Sequence, residues 1–179
     1  MQELFHPTKI RQVAQDIYQT PFLTTAFVDV LIEQFLKSKK WSLETFKYST
    51  KDLYLETEYP PWFEVFQTKE AELHDYFCKN LHVGTFGFYS IFAVKYQMDE
   101  QRSLDIHHDD SFISGSIKLT TEYTGGNLEF PRQKFSALDV PAGDLLLWPS
   151  TVTHPHRCTE LTSGSKDSLN LWTKEHEDN

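Results

Sequence analysis

Cysteine is scarce: Cys78 and Cys158 are the only two in 179 residues. Two cysteines cannot build a disulfide framework, and their separation fits no zinc-ligand spacing, so a reducing compartment is expected. Basic charge is also short. Lys and Arg number 17 against 26 Asp and Glu, a net charge of −9, which argues against a phosphate backbone as partner. The one dense basic run, Lys37-Ser38-Lys39-Lys40, reads as the solvated end of a helix. No apolar run is long enough to cross a bilayer, and the opening MQELFHPTKIRQVAQ lacks the apolar stretch of a signal peptide. The expectation is a cytoplasmic protein with no nucleic acid and no membrane among its partners. Linkers rich in Pro, Gly or Ser and internal repeats are missing too, which with the length predicts one domain over residues 1–179.

What is abundant is aromatic side chain. Fourteen Phe, eight Tyr and four Trp make up 15% of the residues within an apolar fraction of 39%, enough to fill a core and to exclude a largely disordered chain. Histidine is the other surplus. Four of the eight form two close pairs, His107-His108 and His154-x-His156.

The texture changes near residue 85. Before it the pattern is mainly helical, a flank over 1–84. Phe22–Leu36 carries apolar residues at helical spacing, with Thr24 or Thr25 as candidate N-caps and the basic run at its C-terminal end. Thr68–Leu81 reads as a second helix with Thr68 as N-cap and Leu73, Phe77 and Leu81 in one stripe. Between them Phe46–Thr57 predicts one or two strands, and Tyr59-Pro60-Pro61-Trp62 a rigid connector. Beyond Gly84, eight short strands are predicted at 91–96, 104–109, 113–121, 127–130, 135–140, 144–148, 154–158 and 168–173, separated by turn clusters. Strands this dense over 85–175 predict a mainly β (α+β) chain: a double-stranded β-helix, or jelly roll, with N-terminal helices flanking it.

Residues two apart on a strand share a face, so either His107 with Asp109 or His108 with Asp110 points inward. A third ligand from His154 or His156 would complete two imidazoles and a carboxylate on one side of a metal. That set leaves coordination positions open and suits Fe(II), whereas structural zinc wants a closed tetrahedral shell. Lys166 follows His156 by ten residues, past a turn that brings the chain back along the opposite wall. A keto acid chelating iron would need a cation for its far carboxylate, and Lys166 can supply one. Tyr96 could add a hydroxyl at the same end.

The stretches VKYQMDEQRSLDIHHDDS, GGNLEF, AGDLLLWPSTVTHPHR and GSKDSLNLW resemble the 2-oxoglutarate and Fe(II)-dependent dioxygenases of the prolyl and lysyl hydroxylase branch. The likeness to procollagen lysyl hydroxylases is strongest over Val94–Ser111. It implies His107, Asp109 and His156 as iron ligands, Lys166 as partner of the distal carboxylate of 2-oxoglutarate, Tyr96 assisting it, and Trp172 beside the site. It also implies Fe(II) and 2-oxoglutarate as cofactor and cosubstrate, with ascorbate as a further candidate. The implied reaction is hydroxylation of a prolyl or lysyl side chain in a peptide, a protein or a free amino acid, with release of succinate and CO2. Lysyl hydroxylases carry Arg at the position of Lys166 and prolyl 4-hydroxylases Lys, so the motifs straddle two substrate classes.

Competing readings are a non-catalytic cupin-like binding module and a metal-dependent hydrolase. Lys166 at its offset counts against the first, and the lack of a Glu base near the ligands against the second. Arg132, Gln133 and Arg157 read as rim or surface groups, Trp148 as core, and Cys158 as a small hydrophobe.

Overall fold

Two antiparallel sheets enclose a cavity, and helices cover the outer face of the larger one. The computed structural model describes residues 3–42 and 50–176. In chain order the elements are β1 (Arg11–Ala14), β2 (Ile17–Pro21), α1 (Thr25–Lys37), β3 (Lys51–Tyr54), α2 (Leu55–Glu58), α3 (Pro60–Gln67), α4 (Glu70–Leu81), β4 (Phe86–Gln97) and β5 (Leu104–His107). They continue as β6 (Ile113–Lys118), β7 (Tyr123–Gly125), β8 (Leu128–Phe130), β9 (Phe135–Ser136), β10 (Asp144–Pro149), β11 (His156–Cys158) and β12 (Leu161–Glu175). The larger sheet runs β1-β2-β10-β6-β12-β4-β3, with β7 added to β12, and the smaller runs β5-β11-β8-β9. This is the expected jelly roll.

Period-two alternation divides the two long central strands between two environments. On β4 and β12, Ile91, Ala93, Leu169 and Leu171 point to the helices and join Leu31, Phe35, Phe66 and Phe77 in the main core. The intervening Phe92, Val94, Tyr96, Lys166, Ser168, Asn170 and Trp172 face the cavity. The helices are therefore a second layer that buries one face of the sheet and leaves the other for chemistry.

Helix α1 starts where the sequence places it: Thr24 is the N-cap, its Oγ1 accepting from the Phe27 N–H at 3.3 Å. Two local readings are corrected. Tyr59-Pro60-Pro61-Trp62 is not an extended connector. Pro60 and Pro61 occupy the first turn of α3, where a missing N–H leaves nothing unsatisfied and a fixed φ suits the helix. Because α3 runs on to Gln67, Thr68 closes it instead of opening α4, and its Oγ1 donates to the Val65 carbonyl at 2.6 Å. Lys69 precedes α4 without a side-chain cap.

Strand β3 falls inside the segment expected to be extended, and residues 46–49 of that expectation lie outside the described residues. Strands β1 and β2 were not anticipated. They are a hairpin turning at Asp16, whose φ of 53° is left-handed, and β2 joins the large sheet through β10. Its Ile17-Tyr18-Gln19-Thr20 run is buried on both faces, so it carries no alternation to read. Tyr123–Gly125, expected as a turn, pairs with β12. Strand β12 itself extends well beyond 168–173, whereas the strand expected at 104–109 ends at His107. Among the described residues no helix is long and apolar enough to cross a membrane.

Candidate active site

His107 ends β5 and His156 begins β11, and the two are cross-strand partners. Register therefore places their rings side by side, centroids 4.4 Å apart. Asp109 lies just past the end of β5, in the loop that folds back toward β6. Its Oδ1 is 3.5 Å from His107 Nε2 and 3.5 Å from His156 Nε2, and one ligand atom from each residue lies within 4.8 Å of the others. All three side chains are less than a tenth exposed.

The hydrogen bonds around these residues fix which atoms face one another. His107 Nδ1 lies 2.8 Å from the Asp105 carbonyl and His156 Nδ1 3.1 Å from the His154 carbonyl. Each Nδ1 therefore carries the proton, and each Nε2 presents a lone pair toward Asp109 when the ring is neutral. Asp109 Oδ2 accepts from Ser114 Oγ at 2.7 Å and Ser150 Oγ at 3.5 Å, so Oδ1 is left facing the two imidazoles. Burial alone would raise the Asp109 carboxyl, but in the metal-free protein the charge of a protonated His156, the Nε2–H donors of the protonated His107 and His156 rings, and the Ser114 hydroxyl outweigh it and hold the group well below the usual carboxylate range. Burial pulls His107 down, yet Asp109 and the Asp105 carbonyl leave it raised. Two neutral imidazoles and one anionic oxygen make a donor set that fits Fe(II) and leaves one side of the metal to other ligands.

The alternative register is not the one adopted. His108 is exposed and its Nε2 contacts the Val152 carbonyl at 3.1 Å; Asp110 is exposed as well. His154 is buried, with Nε2 3.0 Å from the Gln15 carbonyl and Nδ1 2.8 Å from Thr153 Oγ1. Both its ring nitrogens are engaged, and Nε2 ties it to the β1–β2 turn.

These three residues line a cavity of about 570 Å³ together with Tyr96, Lys166 and Trp172. Lys166 closes one end. It is 7% exposed, its Nζ donates to Cys158 Sγ at 3.4 Å and lies 5.1 Å from the Tyr96 ring centroid. Among the described residues no carboxylate lies within ion-pair distance of it. Gly126 makes room for this side chain: its φ is +60°, and a Cβ there would stand 3.4 Å from Lys166 Cδ. Burial, then Cys158, keep the Tyr96 phenol well above its ordinary value and so protonated. Ser116, Ser168 and Asn170 make a polar floor between this end and the histidines.

Trp172 is six positions along β12 from Lys166, about 20 Å at strand rise, so it lies away from the cationic end. It packs edge-on against Phe92 at 5.0 Å, and Phe92 in turn contacts Tyr54 at 5.3 Å. With Tyr89 these rings form an aromatic wall at the mouth. Arg157 lines the cavity but is ion-paired to Glu129 at 2.8 Å, while Arg132 and Gln133 bond the Val152 and Thr153 carbonyls. Sequence reasoning did not find Ser114, Ser150 or Tyr89. No motif marks them, because they reach the site through cross-strand register and loop packing.

No family model matches the chain. A mouse procollagen-lysine,2-oxoglutarate 5-dioxygenase 1 is 30% identical over 169 residues, 84% of this chain and 23% of the relative. The chain thus spans about a quarter of the length of the curated relatives it matches. Among solved structures, a prolyl-4-hydroxylase of Pseudomonas putida aligns with TM-score 0.71 at 15% identity, covering 90% of this chain and 94% of that one. A viral collagen prolyl hydroxylase of Paramecium Bursaria Chlorella virus-1 aligns with TM-score 0.68 at 16% identity, covering 91% and 97%. In sequence the chain is similar to procollagen lysyl hydroxylases and in fold to prolyl hydroxylases, which together support a prolyl/lysyl hydroxylase-like member of the 2-oxoglutarate and Fe(II)-dependent dioxygenases.

Proposed function

We propose that the chain is a 2-oxoglutarate-dependent hydroxylase of a lysyl or prolyl side chain presented in a peptide or protein. The observation that carries this reading is a buried ammonium, Lys166, with no carboxylate partner among the described residues, at one end of the cavity that holds the His107, Asp109 and His156 donor set. A buried cation of this kind calls for an anion from solution. A dicarboxylate bound to the metal at one end and to Lys166 at the other satisfies both demands. A cupin-like binding module would need no such anchor.

The chemistry supplied by bound Fe(II), 2-oxoglutarate and dioxygen is hydroxylation of an unactivated carbon, with succinate and CO2 as co-products. The chain does the rest. His107, Asp109 and His156 hold the metal from one side. The Asp105 and His154 carbonyls keep both Nδ1 protons in place, so the ligating tautomers are set before metal arrives. Lys166 neutralises the far carboxylate, and Tyr96, held protonated, donates to it. The wall of Tyr54, Tyr89, Phe92 and Trp172 excludes water and takes the aliphatic part of the substrate side chain, aligning one C–H bond with the open side of the metal.

Two observations bear on the substrate. Asp110 and Glu56 lie close enough to Tyr89 to help raise its phenol to about 12, after burial as the main cause, and carboxylates beside aromatic faces favour a cationic lysyl chain. Lys166, where the resemblance gives lysyl hydroxylases Arg, favours prolyl. Anaerobic Fe(II) and 2-oxoglutarate should produce a weak visible charge-transfer band. Peptides bearing Pro or Lys should then gain the mass of one oxygen atom with stoichiometric succinate. Folded, metal-loaded protein that gives neither band nor succinate refutes the proposal.

A further inference from the structure

Strand β4 carries a bulge at the mouth of the cavity. Trp172 of β12 pairs with Ser90 and Thr173 with Phe88, so Tyr89 is the extra residue. Along a regular strand Tyr89 would face away from Ser90; the bulge instead brings both to the cavity wall. Strand β3 has ended at this level, and carboxylates take over its role as acceptors. Glu56 accepts from Ser90 Oγ at 2.7 Å and from the Ile91 N–H at 3.2 Å, and Glu70 accepts from the Phe88 N–H at 2.8 Å. The irregularity is thus fixed on both sides of Tyr89.

What it delivers is the Tyr89 hydroxyl, which donates to the Asp110 carbonyl at 2.7 Å. Asp110 directly follows Asp109. The same loop is tied down again two residues later, where the Phe112 N–H donates to the Thr173 carbonyl at 2.9 Å and the Thr173 N–H donates to Ser111 Oγ at 3.0 Å. Thr173 lies across the ladder from the bulge, so one distortion aligns both anchors of the loop. The Tyr89 ring is set by Trp172, 6.3 Å away between centroids, and by Lys174 Nζ at 4.5 Å.

We infer that Tyr89 is a positioning residue. Its hydroxyl fixes the backbone at Asp110 and thereby sets the approach of Asp109 to His107 and His156. The inference rests on reading those three residues as a metal site. Its test uses Co(II), whose visible ligand-field bands report coordination geometry without turnover. Tyr89→Phe keeps the ring against Trp172 and removes only the hydroxyl. Titrated with Co(II), the variant is expected to bind roughly three- to tenfold more weakly than the wild type, with a displaced band envelope. The metal-free thermal midpoint should move by no more than about 4 °C. Tyr89→Phe that matches the wild type in Co(II) affinity and spectrum overturns the inference alone. A wild-type chain that takes up no Co(II) overturns the metal-site reading and this inference with it.

Discussion

Replacing Lys166 by methionine tests the central electrostatic argument. Lys166 is nearly buried, with a thiol and an aromatic ring as its described neighbours. Its ammonium is therefore already desolvated before any anion arrives, and removing it leaves a bound carboxylate without a charge partner. Truncating one side of a buried, hydrogen-bonded charge pair costs roughly 2–5 kcal/mol. A middle value of about 3 kcal/mol corresponds to a roughly 100- to 200-fold rise in the Kd for 2-oxoglutarate. Calorimetric titration of Mn(II)-loaded protein reads this directly. Thermal unfolding gives an independent measure. At 100 times its Kd, 2-oxoglutarate stabilises the wild type by about 2.7 kcal/mol, or about 5–10 °C for a domain of this size. At the same concentration the Lys166→Met protein should shift by less than about 2 °C. Without ligand the variant should unfold no earlier than the wild type, because methionine removes a desolvated charge without breaking an ion pair. It also relieves Lys118, whose ammonium is held low first by its own burial and then by Lys166. Wild-type affinity for 2-oxoglutarate in Lys166→Met, or a parallel loss of metal affinity, would refute the assignment of Lys166 as anchor.

The two registers of the HHDD run separate by mutation: His107→Ala and Asp109→Asn should abolish metal binding, while His108→Ala and Asp110→Asn should leave it within about threefold, as judged by Co(II) titration. Ser114→Ala removes the shorter of the two hydroxyl contacts to Asp109 and should weaken metal binding about tenfold in the same assay. The pH dependence of unfolding should change sign with metal. In the metal-free protein the raised His107 contributes stability that is complete below its unfolded value of about 6.5 and is lost as pH rises through its higher folded value. Metal needs both imidazoles neutral, so the metal-loaded protein should instead gain stability as pH rises from 5.5 to 8. Parallel slopes for the two forms in scanning calorimetry would contradict the assignment of His107 and His156 as metal ligands. The depressed Asp109 predicts an acid limb in the metal-free protein, with stability lost as pH falls below about 3.9.

Much of this protein was legible from its sequence, and what was legible shares a cause. Local chemistry fixes local structure: Thr24 caps α1 because its hydroxyl reaches an N–H three residues on, and short apolar runs between turn clusters become strands wherever one face is buried. The candidate ligands were readable because H-x-D, a distant histidine and a lysine ten residues later are all spacings along one chain, although spacing alone left two registers of the His107-His108-Asp109-Asp110 run open. Failures fell where the deciding interaction is distant or the local signal is shared by two outcomes. Paired prolines suit an extended connector and a helix start equally, and only the docking of α3 on the core selects the helix. Strand β2 is buried on both faces and so shows no period.

The site itself divides the same way. The sequence by itself determined which residue types are available: two imidazoles, a carboxylate, an ammonium and a phenol, in an order that permits a facial metal set. Tertiary structure alone decided that His107, not His108, faces His156, because strand pairing sets which side chain meets which. It also decided that Ser114 would brace Asp109, that no described carboxylate would reach Lys166, and that a bulge would aim Tyr89 at the loop carrying Asp109. Each of these depends on cross-strand register or on a single inserted residue, and a shift of one position exchanges the faces of a strand without altering the composition that the sequence displays.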